Sequence, residues 1–481
     1  MENRDLKKIN EFTWEIPKEA GMHVPGRIYA SEKLLKQILK DESIKQVKNV
    51  AYLPGIVGYS MAMPDIHWGY GFPIGGVAAT DVNNGVISPG GVGYDINCGV
   101  RLIRTNLEYS DIQDKIEHII SDLFSAIPTG VGSHGAIKKL SKQEVRKVLL
   151  EGAEWAVKNG YGKSEDLKFI EEKGKIHDAD PDVVSNKAYE RGAPQLGTLG
   201  SGNHFVELSV VADIYDSKSA NILGLWKDQV VFLIHTGSRG LGYQICDDYL
   251  RVTINAVRKY GINIPDRQLA CAPIQSKEGQ DYLSAMRAAA NFAFSNRQVI
   301  SSLIENQLLK SLNISPVDLG FQLIWDIAHN IAKIEEHEWK GKNVKVCVHR
   351  KGATRAFGPN SPDLPDIYKS IGQPVLVPGD MGTESYICVG TQRAMEETFG
   401  SSCHGAGRVL SRRQAKIESG KVDLNNELKK YGIYVLADSR GTIAEEMPHA
   451  YKDVGEVVDT MHKTGIIKKV ARLRPLGVIK G

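Results

Sequence analysis

The chain has few of the features that mark secreted, membrane-spanning or disulfide-stabilised proteins. Its 481 residues include only six cysteines, which are scattered and form no Cys-x-x-Cys pair. Cysteines so few and so spaced in a long chain are typical of reduced thiols in a cytosolic protein. No stretch approaches the ~18 apolar residues of a membrane helix, and the amino terminus opens with no apolar signal region. We therefore expect a cytoplasmic protein that binds no membrane.

An excess of charge of either sign is also absent. Lysine and arginine (60) nearly balance aspartate and glutamate (57), which leaves a net charge of +3 at pH 7. A nucleic-acid partner would therefore have to meet a local basic patch. The 42% hydrophobic and 24% charged content is ordinary for a globular protein with a real core. Glycine, at 48 residues, is concentrated in a few loops, where a backbone can turn sharply or approach a ligand.

The common nucleotide-handling and hydrolase motifs are missing as well. Gly162-Lys163-Ser164 resembles the end of a P-loop, but Val157 stands where that motif requires its first glycine. Residues 452–455 lack the Lys-x-Asp-Gly order of lysine-dependent nucleotidyl transferases. Neither the HExxH motif of zincins nor the GxSxG motif of hydrolases occurs. Fewer alternatives to a histidine as covalent nucleophile therefore remain.

Hydrophobic periodicity predicts helices and strands in one mixed fold. Apolar, β-branched runs at 229–235 and 344–349 predict buried strands, and each ends in a histidine followed by a glycine-bearing turn. Helical periodicity covers 33–47, 143–158 and 281–312. The charged stretch 162–190 is interpreted as a surface excursion, and no repeat or linker divides the chain. We predict an α+β fold, with residues 1–481 forming a single large domain of mixed sheets around a central metal-containing cleft.

Five side chains of metal-ligand type lie at glycine-rich turns or at the boundaries of apolar segments: Asp95, Cys98, His204, His235 and His329. Each histidine alone is more often a structural residue than a ligand, and the Asp95–Cys98 turn fits a buried cysteine equally well. The five together favour a metal site. They exceed the needs of one tetrahedral ion, so a bridging Cys98 would let two ions share the set. Imidazole, carboxylate and thiolate suit Mn, Zn or Co alike.

A further cluster at 403–408 places His404 just before a segment that we predict to begin a helix carrying Arg408, Arg412 and Arg413. Free N–H groups at a helix start attract phosphate, and a neutral imidazole there can attack phosphorus. The alternative is a helix-capping loop with solvated arginines.

Two other loops have sequences suited to a polyphosphate ligand. Residues 349–356 are basic and residues 378–385 are rich in glycine and hydroxyl side chains. A nucleotide base could be read by Glu207, Ser385 or Tyr451, although spacing alone does not establish this.

These motifs, in this order, resemble the RtcB-type tRNA-splicing RNA ligases. The matching segments span nearly the whole chain and are 63–69, 95–98, 200–207, 235–242, 329–330, 349–356, 378–383, 403–408 and Lys480. So many separate motifs in one order are more specific than any one of them.

The resemblance implies a reaction that the residues alone do not reveal. GTP would guanylylate His404, an RNA 2′,3′-cyclic phosphate would be opened to a 3′-phosphate, and GMP would pass to that phosphate. A 5′-hydroxyl RNA end would then displace GMP and seal the strand. Substrates would be cleaved tRNA halves or broken RNA ends, and an archease-like protein would be an activator. We expect a monomer.

The resemblance also implies the residues that bind each ligand. Of two Mn²⁺ ions, one would take Cys98, His204 and His235, and the other Asp95, Cys98 and His329. GTP would contact Asn203, Phe205, Glu207, His329, Asn330, Pro378, Gly379, Asp380, Met381, Ser385, His404, Gly405, Ala406, Gly407, Tyr451 and Lys480. RNA phosphates would contact Arg191, Arg239 and Arg412. Asp380 departs from the family pattern, where serine is more usual, and an acid beside a triphosphate is unfavourable unless it faces a metal or points away.

Two other functions account for part of the pattern. A dinuclear-metal RNA phosphoesterase without nucleotide transfer explains the metal ligands but leaves His404 without a role. A non-catalytic RNA-binding subunit fits poorly with the weak net charge and with the lack of an aromatic stacking platform. Transfer of a GMP label from GTP to the protein would separate the three hypotheses.

Overall fold

Most of the described strands assemble into two large sheets, and two further pairs of strands form two small ones. The computed structural model describes residues 6–420, 424–430 and 432–481. In these residues the strands are β1 (Lys7–Asn10), β2 (Thr13–Ile16), β3 (Gly26–Tyr29), β4 (Ile56–His67), β5 (Ile74–Asp81), β6 (Val86–Ile87), β7 (Gly99–Glu108), β8 (Phe205–Ile214), β9 (Gln229–Thr236), β10 (Ala272–Pro273), β11 (Gln322–Ala328), β12 (Asn330–Trp339), β13 (Lys342–Lys351), β14 (Ala353–Arg355), β15 (Pro374–Val377), β16 (Ser385–Gly390), β17 (Ser401–Cys403), β18 (Tyr434–Ala437) and β19 (Ile467–Lys480). The α-helices are α1 (Glu32–Ile38), α2 (Ser43–Val50), α3 (Tyr109–Ile112), α4 (Ile116–Ala126), α5 (Lys142–Glu151), α6 (Ala153–Lys158), α7 (Asn186–Gly192), α8 (Ser217–Leu223), α9 (Arg239–Lys259), α10 (Lys277–Leu312), α11 (Pro316–Leu319), α12 (Gln392–Thr398), α13 (Arg412–Ser419), α14 (Leu424–Lys430), α15 (Arg440–Glu445) and α16 (Val454–Lys463).

Both large sheets are mixed. One has the strand order β1-β2-β3-β4-β5-β13-β12, and the other has the order β11-β7-β9-β8-β19-β16-β15, with β18 paired to β19. Most neighbours run antiparallel, but β3 and β18 each pair in parallel with β4 and β19 respectively. The ends of the two sheets meet at a cleft of about 940 Å³. The predicted α+β fold, with mixed sheets around a central cleft, is therefore confirmed.

The long helix α10 fixes the loops that line this cleft. Every side chain from 288 to 302 is buried, including Arg297, so its polar groups must find partners inside the protein. Arg297 forms an ion pair with Asp326 at 2.7 Å. It also donates to the backbone carbonyls of Asn97 at 2.8 Å and Thr236 at 2.9 Å. The helix thus holds the turn that carries Cys98 and the strand end that carries His235.

The structure confirms some of the predicted elements and corrects others. Both predicted strands form, within β9 and β13, and the helix predicted at 281–312 is part of α10. The segments 33–47 and 143–158 each form two helices instead of one; in the second, Gly152 breaks the helix with φ +60°. No helix in the described ranges is long and apolar enough to cross a membrane.

The charged stretch 162–190 is not a surface excursion along its whole length. Ile170 and Glu171 are buried, and a carboxylate oxygen of Glu171 accepts the backbone N–H of Ala328 at 2.8 Å. The other oxygen pairs with Lys333 at 2.6 Å. Charged residues of this segment therefore form a buried ion pair. The number of charged residues alone does not distinguish such a segment from a solvated loop.

Candidate active site: a cluster of metal-binding side chains beside a paired histidine

Four neighbouring strands bring five side chains of metal-ligand type to one edge of the eight-stranded sheet. Cys98 directly precedes β7, and His204 directly precedes β8. His235 is the last residue but one of β9, and His329 directly follows β11. Because these four strands are adjacent and antiparallel, the starts of two meet the ends of the other two. Asp95 joins them from the turn before β7.

The ligand atoms at this edge lie close enough to share cations. Cys98 Sγ is 3.2 Å from His235 Nε2 and 3.4 Å from His204 Nε2. His204 Nε2 is 2.8 Å from Asp95 Oδ2, and the Nε2 atoms of His235 and His329 are 3.2 Å apart. Within the described residues they form two triads with ligand atoms within 4.8 Å of one another, Cys98–His235–His329 and Asp95–Cys98–His204. Cys98 belongs to both, the position that a bridging thiolate requires.

The triads divide the histidines differently from the division that the resemblance implied. His204 was expected to share an ion with His235, and Asp95 with His329. In the structure His204 lies with Asp95, and His329 lies with His235. The ring of His235 is nearer to that of His329, at 4.9 Å between centroids, than to that of His204, at 5.7 Å. The packing of the rings decides which histidine lies in which triad. Spacing along the chain does not show this packing.

The charge states of these groups fit divalent cations. Burial lowers the pKa of both His235 and His329 well below the usual value, so both imidazoles are neutral near pH 7. Their Nδ1 atoms are buried without a hydrogen-bond partner among the described residues. Burial, followed by the charge of Asp95, raises the pKa of Cys98, so a thiolate there needs a positive partner. Neutral imidazoles, a carboxylate and a buried thiol are a donor set that suits transition-metal ions.

A second histidine–carboxylate pair lies beside the metal-binding cluster. His404 follows β17, and its Nδ1 is 2.6 Å from Oδ2 of Asp65 in β4. The same oxygen accepts the backbone N–H of His404 at 3.0 Å. Burial by itself would raise the pKa of the Asp65 carboxyl. The charge and the hydrogen bonds of His404 act in the opposite direction, and the pKa is lowered. A carboxylate at Nδ1 favours the tautomer that carries its proton there, and in that tautomer the lone pair is on Nε2. The ring of His329 is 4.8 Å away, so both groups share one cleft.

The backbone on either side of Asp65 is held by Lys452, a residue for which no role was predicted. The buried Lys452 Nζ donates to the backbone carbonyl of Pro64 at 3.1 Å and to that of Ile66. The backbone N–H of Lys452 donates to Gly407 at 2.8 Å. Burial lowers the pKa of Lys452 to about 8. Lys452 therefore ties the strand that carries Asp65 to the loop that carries His404.

The helix predicted to begin after Gly407 begins later in the chain. Residues 404–407 form a loop, and α13 begins at Arg412. Arg408 donates to a carboxylate oxygen of Glu446 at 3.2 Å and to the hydroxyl of Tyr451 at 3.0 Å, so it is not free to screen a phosphate. His404 owes its orientation to Asp65 and not to a helix terminus.

The residues expected to bind GTP line the cleft, with the exception of Ser385. Ser385 is fully buried behind the wall, where its Oγ donates to Glu207 Oε1 at 3.3 Å. Ser209 donates to the same oxygen at 2.6 Å. Burial raises the pKa of Glu207 to about 7, although the two hydroxyls oppose this shift. Ser385 is thus placed to orient Glu207 and not to touch a ligand itself.

Asp380 lines the cleft, but its carboxylate turns back into its own loop. Oδ1 accepts the backbone N–H of Gly382 at 2.8 Å, and Oδ2 accepts the hydroxyl of Thr383 at 2.9 Å. Burial raises the pKa of Asp380, and these hydrogen bonds partly offset the shift. The acidic side chain therefore shapes its own loop.

Glu446, which was not predicted, organises the far end of the cleft. It is fully buried and accepts hydrogen bonds from the Tyr451 hydroxyl and from Arg408. Lys480 Nζ lies 4.0 Å from the same carboxylate. Burial lowers the pKa of Lys480, and Glu446 opposes that shift. The carboxylate keeps Tyr451 and Lys480 in fixed positions at the cleft wall.

The arginines expected to contact RNA all line the cleft. Arg239 has a backbone φ of +57° and donates to Thr198 Oγ1 at 3.2 Å. Arg191 donates to Gln244 at 3.0 Å, and Arg412 has a side chain that is 57% exposed. By contrast, the arginines of the basic loop 349–356 are used inside the protein. Arg350 makes two hydrogen bonds to Glu335, at 2.6 and 2.9 Å, so its guanidinium is not free to bind a phosphate, whereas Lys351 and Gly352 of the same segment line the cleft.

Fold and site together define a protein in which a metal-binding cluster and a carboxylate-held histidine share one cleft. The family model described as tRNA-splicing ligase RtcB matches residues 46–481. Three proteins named tRNA-splicing ligase RtcB are similar to the chain over 99% of both lengths. They come from Archaeoglobus fulgidus (55% identical over 478 residues), Thermococcus kodakarensis (54% over 477) and Methanococcus maripaludis (54% over 480). The chain therefore belongs to the tRNA-splicing ligase RtcB family.

Proposed function

We propose that this chain is an RNA ligase that uses GTP and Mn²⁺ to join 2′,3′-cyclic-phosphate or 3′-phosphate RNA ends to 5′-hydroxyl ends through a guanylylated His404, as in tRNA splicing and RNA repair. Membership of the family supports RNA ligation. The observation that carries the histidine route is the 2.6 Å contact between His404 Nδ1 and the buried Asp65.

In the first step the Nε2 lone pair of His404 attacks the α-phosphorus of GTP. A nitrogen–phosphorus bond forms, and the bond from that phosphorus to the pyrophosphate oxygen breaks, with the electron pair leaving on pyrophosphate. Because Nδ1 keeps its proton, the modified ring is cationic. The carboxylate of Asp65 is already in place to stabilise that charge.

In the later steps the RNA ends react in turn. Once the cyclic phosphate is opened, an oxygen of the RNA 3′-phosphate attacks the α-phosphorus held by His404, and the nitrogen–phosphorus bond breaks. The 5′-hydroxyl oxygen of the second strand then attacks the 3′-phosphate, and GMP leaves. Arg191, Arg239 and Arg412 would balance the charge of the RNA backbone.

The two triads would hold one Mn²⁺ each, and bound ions would supply positive charge to phosphate oxygens and leaving groups. Glu207 would face the guanine, and the loops 378–382 and 404–407 would offer backbone N–H groups to phosphates. Asn330 is already engaged, because its side chain donates to the Asp95 carbonyl at 3.1 Å and accepts from Gly352 at 2.9 Å. It would therefore act by holding the loops around the nucleotide.

We also propose that residues 1–481 form one ligase domain and that the protein is a cytoplasmic monomer assisted by an archease-like activator. All six cysteines are unpaired and buried, which suits a reducing compartment.

The test is to incubate the protein with α-labelled GTP and Mn²⁺ and to expose the denatured adduct to acid and to alkali. A phosphoramidate should be lost in acid and survive alkali. His404→Ala should take no label while keeping its metals. A label that persists in His404→Ala would move the nucleophile elsewhere. No label in the native protein, together with hydrolysis of cyclic-phosphate RNA, would favour a phosphoesterase.

A further inference from the structure

Three tyrosines that line the cleft have no part in the steps above, and together they form an aromatic platform that the sequence analysis had taken to be lacking. Tyr70, Tyr94 and Tyr243, here called the tyrosine stack, all line the cleft. The rings of Tyr94 and Tyr243 are stacked, with centroids 4.8 Å apart and planes 26° from parallel. Tyr70 meets Tyr94 edge-on at 5.8 Å. The guanidinium of Arg191 lies 5.1 Å from the centre of the Tyr243 ring.

The tyrosine stack is anchored on the segments that carry metal-binding residues. Tyr94 directly precedes Asp95 in the same turn. Tyr243 lies in the first two turns of α9, the helix that follows the loop after His235. Whatever contacts the stack is therefore close to the reacting groups.

The inner end of the stack is fixed, and its outer end is open to solvent. The buried Lys351 donates through Nζ to the backbone carbonyls of Tyr70, at 2.6 Å, and Phe72, at 3.2 Å. Tyr243 is 46% exposed, so part of its ring is accessible to a ligand. Planar rings held in place before binding lose little conformational freedom when a ligand stacks on them.

We propose that the outer end of the tyrosine stack, formed by Tyr243 and Arg191, receives an unpaired nucleobase of an RNA strand next to the bond being formed. Aromatic rings stack on any base, because every base has a π face, and single-stranded ends are the form in which RNA exposes its bases. An arginine at the end of the stack adds attraction to the ring and to the backbone phosphate. This inference rests on the proposed function, because it requires that the cleft binds RNA ends.

The test compares Tyr243→Ala with Tyr243→Phe and with Tyr260→Ala. Tyr260 lies at the other end of the same helix and is 39% exposed, but it does not line the cleft, which makes it a matched control. KM is measured for the 3′-phosphate strand and for the 5′-hydroxyl strand separately. Tyr243→Ala should raise KM for one strand about tenfold, on the scale of one lost stacking contact. Tyr243→Phe and Tyr260→Ala should stay within about twofold of the native protein on that scale. Self-guanylylation should be unchanged in all three.

An abasic scan identifies the base. Removing the base at one position of the affected strand should raise KM in the native protein to the level of Tyr243→Ala, and should add nothing in that variant. Binding of unreactive RNA without GTP, measured by fluorescence anisotropy, gives the same comparison even if no GMP transfer occurs. The proposal is overturned if Tyr243→Ala binds each strand as the native protein does, or if every abasic position adds to the loss in Tyr243→Ala.

Discussion

The cleft contains two histidine–aspartate pairs that use the same residue types in different ways. In the first, Asp95 lies 2.8 Å from Nε2 of His204, and Nδ1 of that histidine donates to the carbonyl of Leu199 at 2.9 Å. In the second, Asp65 lies 2.6 Å from Nδ1 of His404, and no described residue forms a hydrogen bond with Nε2. The aspartates differ too, because the side chain of Asp95 is 27% exposed and that of Asp65 is fully buried.

The difference indicates that the role open to each histidine depends on which of its ring nitrogens the carboxylate contacts. Both nitrogens of His204 are engaged, and its Nε2 also faces Cys98, so this ring is held in the position that a metal ligand requires. Asp65 takes only the proton-bearing nitrogen of His404, and the other nitrogen is left for bond formation. Asp95 is exposed enough to turn toward a cation, whereas Asp65 can serve only His404.

The largest effect should come from Cys98→Ala, which breaks the metal-binding side of the comparison. Cys98 is the one residue in both triads, so its loss weakens both sites. We expect ligation to disappear and bound Mn²⁺ to fall from two ions per chain to one or none. Metal analysis of the purified variant after Mn²⁺ titration checks this, and retention of two ions would show that the thiolate does not bridge.

Asp65→Asn changes the other histidine–aspartate pair, that of His404, and should have a smaller effect than Cys98→Ala. An amide cannot stabilise the cationic ring and no longer fixes the proton on Nδ1, so self-guanylylation should slow by about 10²–10³-fold. Metal content should not change. The rate is measured in a single turnover with saturating GTP and Mn²⁺.

Asp95→Asn is the matched control for that variant. It makes the same chemical change in the pair whose histidine is a ligand, so it should lower Mn²⁺ content, and excess Mn²⁺ should partly restore its activity. Rescue of Asp65→Asn by excess Mn²⁺, or loss of metal from it, would mean that the two pairs have the same role.

A third carboxylate, that of Glu207, extends the comparison, and the effect expected for it is the smallest. Glu207 has hydroxyl partners instead of an imidazole, and burial raises its pKa to about 7. The carboxylate that would accept guanine N–H groups therefore forms as pH rises through 7. KM for GTP should fall about tenfold from pH 6 to pH 8, following the ionised fraction. Glu207→Gln should remove this dependence. A native KM that does not vary with pH would separate Glu207 from guanine binding.

Much of the site followed from residue types in short motifs. Asp95, Cys98 and the three histidines were found because metal ligands are few in kind and cluster at turns, and the structure brings all five together. The role of Asp65 was not found, because its partner lies 339 residues away and a lone aspartate in a strand has no distinctive pattern. Glu446 and Lys452 were missed for the same reason.

The sequence by itself determined the family, the two buried strands and the set of residues around the cleft, because these depend on residue chemistry and on order along the chain. Only the tertiary structure decided which histidine shares a triad with Asp95 and which nitrogen of His404 is free. It also decided that Asp380 folds into its own loop and that Arg350 pairs with Glu335. Each of these depends on hydrogen bonds and ion pairs whose direction is set by packing, and the same residue types in the same motif can satisfy them in more than one way.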